Sequence, residues 1–126
     1  MPTRPRVLLA DDHPGIVKAL SRLLSFECDV VGTVSDGSKV AEAADTLQPV
    51  VVLVDVNLPN VNGLDVCREI TRNSPHARVI VMSGMFDNDV ALAARTAGAS
   101  GAFDKAAMGD RLIVAIKEAW SGTAKQ

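Results

Sequence analysis

The stretch Val51-Val52-Leu53-Val54-Asp55 drives an apolar run straight into a carboxylate, and it does not stand alone. Val7-Leu8-Leu9-Ala10 runs into Asp11-Asp12, Val79-Ile80-Val81-Met82 into Ser83-Gly84, and Gly101-Ala102-Phe103 leads towards Lys105. Each reads as a buried strand with a polar group at its carboxyl end. If those ends meet, three carboxylates, a hydroxyl and an ammonium share one place. Clustered carboxylates repel and raise one another's pKa values, a cost a fold tolerates when a cation arrives. All-oxygen ligands point to a hard ion, Mg²⁺ or Mn²⁺. A metal and a lysine beside a carboxylate suit a phosphoryl group: positive charge neutralises its oxygens while the carboxylate attacks phosphorus. Asp55 is then the nucleophile, and the apolar strand is its rigid mount. Singly, these residues have plainer roles. Asp11 or Asp12 would cap a helix, Asp55 or Ser83 would start a turn, and Lys105 would be solvated. The signal is their coincidence at every strand end.

The elements that must position them follow from periodicity. Strands are predicted at 6–10, 28–34, 50–54, 78–82 and 100–103, with 50–54 the most apolar and so central. Between them, Ile16, Val17, Leu20, Leu23 and Leu24 repeat at helical spacing, with Pro14 suited to the first turn. A helix over 38–47 stops before Pro49. Another runs from Gly63 to Asn73, and one capped by Asp87 or Asn88 ends at Gly98. The last carries Leu112, Ile113, Ile116 and Trp120 on one side, with Trp120 covering the core. Strict β-α alternation predicts an α/β fold: a doubly wound five-stranded parallel sheet, strand order 2-1-3-4-5, with helices on both faces. Strands 1 and 3 are then neighbours, and ligands bind beyond the carboxyl ends, where the acids lie. The expected domain is 1–120, with 121–126 a tail or the start of a linker to an output domain.

Composition narrows the function classes. The 126 residues fit one domain with an aliphatic core, being 48% hydrophobic and only 3% aromatic. A net charge of −2 and the lack of a basic run argue against direct nucleic-acid binding. The longest unbroken apolar runs, Val50 to Val54 among them, are too short to span a bilayer, and aspartates interrupt the N-terminal one too early for a signal peptide. Cys28 and Cys67 lack metal-ligand spacing and read as reduced thiols of a cytoplasmic protein. His13 and His76 read as exposed loop residues.

The Asp-Asp pair, "DVNLPNVNG" around Asp55, Ser-Gly after strand 4 and the lysine after "GASGAF" together resemble the receiver domain of a two-component response regulator. The resemblance covers Arg6 to about Trp120. "DDHPGIVKAL" and "AGASG" are most similar to receivers of the NarL/FixJ (LuxR) type, which usually precede a helix-turn-helix DNA-binding domain. It implies a flavodoxin-like, CheY-like (βα)5 fold. It implies that Asp55 accepts a phosphoryl group from a sensor histidine kinase or phosphotransfer protein, and allows a homodimer once phosphorylated. It implies that Asp11, Asp12, Asp55 and the backbone carbonyl of Asn57 ligate Mg²⁺. Ser83 and Lys105 would bind the phosphoryl oxygens, and Gly84 would leave room for them. Pro59 and Gly63 would carry the chain into helix 3, and helix 4, strand 5 and helix 5 would relay the change. Such a domain catalyses its own phosphorylation and dephosphorylation and turns over no external substrate.

Two positions depart from that pattern. Ala102 stands where relatives usually carry Tyr or Phe, and Phe103, one residue on, faces the opposite side of a strand. Ala106 replaces the common Pro after the lysine, so the cis-proline turn of those relatives is not available. Rival readings fit less well. A flavin or nucleotide binder needs free amides at a helix N-terminus, and Asp11-Asp12-His13-Pro14-Gly15 would repel a phosphate without a metal. An aspartate-nucleophile phosphatase needs a second acid where Asn57 stands. A stand-alone receiver is the alternative to one with an output domain, whereas a degenerate receiver acting only as an interaction module would not need the full set of polar strand ends.

Overall fold

Five strands form one parallel sheet in the computed structural model, which describes residues 4–107 and 109–124. The strands are β1 (Arg6–Ala10), β2 (Asp29–Val34), β3 (Val51–Asp55), β4 (Arg78–Ser83) and β5 (Gly101–Asp104), ordered β2-β1-β3-β4-β5. The helices are α1 (Pro14–Leu24), α2 (Val40–Leu47), α3 (Gly63–Asn73), α4 (Asn88–Thr96) and α5 (Asp110–Ala124). Short 3-10 turns at Gly37–Lys39 and Lys105–Ala107 precede α2 and α5. Helix α5 runs on into the segment expected to be a tail; residues 125–126 of that segment lie outside the described residues. No helix among the described residues is long and apolar enough to cross a membrane.

Alternation along the strands builds two cores. Leu8, Ala10, Val52, Val54, Val79 and Val81 pack against α2, α3 and α4. Val7, Leu9, Val51, Leu53, Ile80 and Met82 pack against α1 and α5. Every residue of β3 is buried, as a central strand covered on both faces requires. Each fully buried aliphatic side chain contributes about 1.5–3 kcal/mol, so the sheet centre is the rigid part of the molecule.

Register sets the height of the strand ends. Ala10 pairs with Val54, so Asp11 and Asp55 emerge together at the carboxyl edge. Asp55 pairs with Met82 and Ser83 with Asp104, which carries Ser83 and Lys105 to the same edge. Gly63 is required where α3 begins: a Cβ there would overlap the carbonyl oxygen of Asp55. The Gly63 amide donates to the Val56 carbonyl at 2.9 Å, and Asn62 caps the helix by accepting from the Leu64 amide at 2.7 Å.

Candidate functional site

The first acid is fixed by its own turn. Asp11 donates its amide to the Val34 carbonyl at 3.0 Å, and its Oδ1 accepts the His13 amide at 2.9 Å. That closes a short turn into α1, with Pro14 at the start of the helix. The Asp11 side chain is fully buried, whereas Asp12 keeps about a third of its surface exposed. Asp55, only 2% exposed, is held in the same way: its Oδ1 accepts the Asn57 amide at 3.1 Å. Its other oxygen accepts from Lys105 Nζ at 3.0 Å.

Lys105 bridges the two strand ends. Its Nζ lies 2.7 Å from Asp11 Oδ2. That ion pair sets the ammonium directly against the buried Asp11 carboxylate. Burial alone would lower the Lys105 pKa. The hydrogen-bonding and charge of Asp11 and Asp55 outweigh it and hold the ammonium above its ordinary 10.5. The lysine is therefore a fixed positive charge between two acids.

Asp11, Asp12, Asp55 and Lys105 thus converge as the strand-end reasoning anticipates. Ser83 stands on the neighbouring strand, 3% exposed, and its Oγ accepts the Met85 amide at 3.1 Å. An added Cβ at Gly84 meets no atom within 4 Å, so the space above it is open. The carboxylates suit a hard divalent cation: one oxygen from each of Asp11, Asp12 and Asp55 lies within 4.8 Å of the others. Asn57 lies beside them through its amide.

Two neighbouring side chains make further ties. His13, expected as an exposed loop residue, is 61% exposed, yet its ring turns back to the acids. Its Nδ1 lies 3.0 Å from Asp11 Oδ1 and 3.2 Å from Asp12 Oδ1. The cause is the Asp11 turn, which folds the chain back before Pro14. Asp104 acts locally as well. Its Oδ1 accepts the Ala106 amide at 2.9 Å and so shapes the turn that presents Lys105. Among the described residues every peptide bond is trans, including the one between Lys105 and Ala106. A carboxylate two residues before an amide was the available signal in both turns.

At β5, Phe103 packs with the α1–α5 core and Ala102 with the α3–α4 core, so Phe103 does not stand in for an aromatic at 102. Beside Ala102 lies a cavity of about 130 Å³, lined also by Ala91, Ala94, Arg95 and Ser100.

Comparison with known proteins agrees with this geometry. The family model described as response regulator receiver domain matches residues 7–117. The nitrate/nitrite response regulator protein NarL of Escherichia coli is 32% identical over 118 residues, covering 92% of this chain and 55% of that protein. The transcriptional regulatory protein DegU of Brevibacillus brevis is 31% identical over 121 residues, 94% of this chain and 51% of that protein. The chain thus spans about half the length of these curated relatives. A LuxR-family two-component response regulator from an Aurantimonas species superposes with a TM-score of 0.88 at 28% identity, covering 94% of this chain and 86% of that one. This chain belongs to the response regulator receiver domain family.

Proposed function

We propose that Asp55 is the phosphoacceptor of this receiver and that Asp11, Asp12, Asp55 and the Asn57 carbonyl hold Mg²⁺ or Mn²⁺. The observation that carries this reading is the Asp55 carboxylate itself. It is buried at the strand edge, with one oxygen fixed by the Asn57 amide and the other on Lys105 at 3.0 Å. The bound cation would supply positive charge against the phosphoryl oxygens.

The remaining chemistry belongs to the chain. An Asp55 oxygen attacks the phosphorus of a donor phosphohistidine on a sensor kinase or phosphotransfer protein. The P–N bond breaks and its electron pair returns to the imidazole. Lys105 then transfers its hydrogen bond from Asp55 to a phosphoryl oxygen. Ser83, whose hydroxyl proton is not used in accepting from Met85, donates to another. The new group brings roughly −1.5 to −2 charges. Turning a 1:99 equilibrium into 99:1 takes about 5.5 kcal/mol. A few charge-assisted hydrogen bonds at about 1.5–3 kcal/mol each are enough. Movement of Ser83 would pull the β4–α4 loop and so alter the α4–β5–α5 face. In the whole protein that face would control a DNA-binding segment beyond residue 126, with residues 1–120 as the receiver and the cytoplasm as the working compartment. The name of DegU, a transcriptional regulatory protein, supports a transcriptional output.

The test is incubation with a small-molecule phosphoryl donor and Mg²⁺. An acid- and base-labile adduct should grow and should be lost in Asp55→Asn. An adduct of the same lability on Asp55→Asn would overturn the assignment.

A further inference from the structure

We propose that Asp104 is a positioning residue for phosphoryl transfer: its carboxylate takes the place of a prolyl turn and fixes the backbone from which Lys105 reaches Asp55. The proposal rests on the reading of Asp55 and Lys105 above and deepens it.

Four strand ends at the carboxyl edge are built on one plan. Asp11 Oδ1 accepts the His13 amide at 2.9 Å, and Asp55 Oδ1 accepts the Asn57 amide at 3.1 Å. Ser83 Oγ accepts the Met85 amide at 3.1 Å, and Asp104 Oδ1 accepts the Ala106 amide at 2.9 Å. In each, a side-chain oxygen closes a turn by taking the amide two residues on. At the first three ends the tying residue is itself a site group. At the fourth it is Asp104, and the site group is Lys105, the residue that the tie spans. Lysine has no acceptor oxygen, so it cannot close such a turn for itself.

Lys105 needs that support. It follows β5 (Gly101–Asp104), an edge strand of four residues whose pairing with β4 ends at Ser83 and Asp104. The ladder therefore stops one residue short of the lysine. Its ammonium sits on a flexible four-carbon stem, yet Nζ lies 2.7 Å from Asp11 Oδ2 and 3.0 Å from Asp55 Oδ2. Such a stem returns to one place only if its Cα is held. The Lys105–Ala106 bond is trans and Ala106 leaves its own φ free, so no proline ring fixes this turn. The Asp104 tie opens the 3-10 turn Lys105–Ala107 instead. Strand alternation turns the Asp104 side chain away from the direction Lys105 takes. Its hydrogen bond rather than its charge is then what serves the site.

The test follows growth of the Asp55 adduct on the 126-residue chain with acetyl phosphate and saturating Mg²⁺. Asp104→Ala should slow it about 3- to 10-fold, the rate equivalent of one hydrogen bond. Asp104→Asn keeps an acceptor oxygen and loses the charge, so its rate should stay within about twofold of wild type. Hydrogen exchange at the Ala106 amide should speed up in the alanine variant and not in the asparagine one. In a Lys105→Ala background, Asp104→Ala should change the rate by less than about twofold, because the turn then has no ammonium to place. Equal slowing in both backgrounds would reveal a merely structural role and overturn the proposal. So would an asparagine variant as slow as the alanine one. If Lys105→Ala slows the adduct and Asp104→Ala does not, only the role of Asp104 has failed. If Lys105→Ala leaves the rate unchanged, the reading of Lys105 fails and the proposal with it.

Discussion

At the scale of single residues, the centre of the site is a charge balance: two buried carboxylates, Asp11 and Asp55, answered by one ammonium. Removing Lys105 leaves both acids without a nearby cation. Lys105→Ala should cost about 3 kcal/mol in urea melts with EDTA, the low end for breaking a buried pair. Saturating Mg²⁺ should restore about half of that gap, because a divalent ion replaces the missing charge and binds only the folded chain. An equal gap in EDTA and in Mg²⁺ would show that Lys105 and the metal do not answer the same acids. The participants in this balance were legible in the sequence because each ends an apolar run, and burial at a strand terminus is a strong, local pattern. His13 and Asp104 were not. Their positions depend on how a carboxylate two residues away folds the backbone, which residue type alone does not reveal.

At the scale of elements, strand and helix positions were readable to within a residue or two, because period 2 and period 3.6 differ clearly in an aliphatic chain. Loop ties were not. Asp36, at the end of the β2–α2 connection, accepts from the Ser38 amide and hydroxyl at 2.9 and 2.7 Å and from Asn60 Nδ2 at 2.9 Å. Asn60 adopts φ 71° in the loop that follows the acceptor strand. The Ser38 hydroxyl and Asn60 amide, with the Ser38 backbone, hold the Asp36 carboxyl below its ordinary 3.8. The sign is that of a depressed acid: the tie is complete above 3.8 and is lost as pH falls through the lower folded value. The Asn60 side-chain amide should titrate by NMR with a midpoint below 3.8, and Asp36→Asn should remove the transition. A midpoint at or above 3.8 would show the tie is absent in solution. The cavity beside Ala102 gives a second expectation. Ala102→Tyr should fill it and add about 0.5–2 kcal/mol of stability. It should also enlarge the phosphorylation-linked NMR shift changes along β5, since an aromatic gives the two states different packing. Equal shift changes in both proteins would mean that β5 is coupled without it.

At the scale of the whole molecule, the sheet separates two cores, and each contains one thiol. Cys28 belongs to the α1–α5 side and Cys67 to the α2–α3–α4 side. Burial is the leading cause that pushes both thiols above their ordinary 9.0, with Glu27 adding to the effect at Cys28. Cys67 Sγ donates to the Ala97 carbonyl at 3.5 Å and so ties α3 to the end of α4. Neither thiol can react with an alkylating reagent until its own face opens. β3 is buried on both sides and contributes to both cores, so neither face can open far without exposing the strand that carries Asp55. The physical expectation is one cooperative unit: under native conditions Cys28 and Cys67 should be alkylated at the same slow rate, set by global unfolding. Peptide mapping of the labelled chain checks this. Faster labelling of Cys67 alone would mean that the α3–α4 face opens locally. The relay from Asp55 would then run through a region that loosens, rather than through a rigid repacking of α4 against β5.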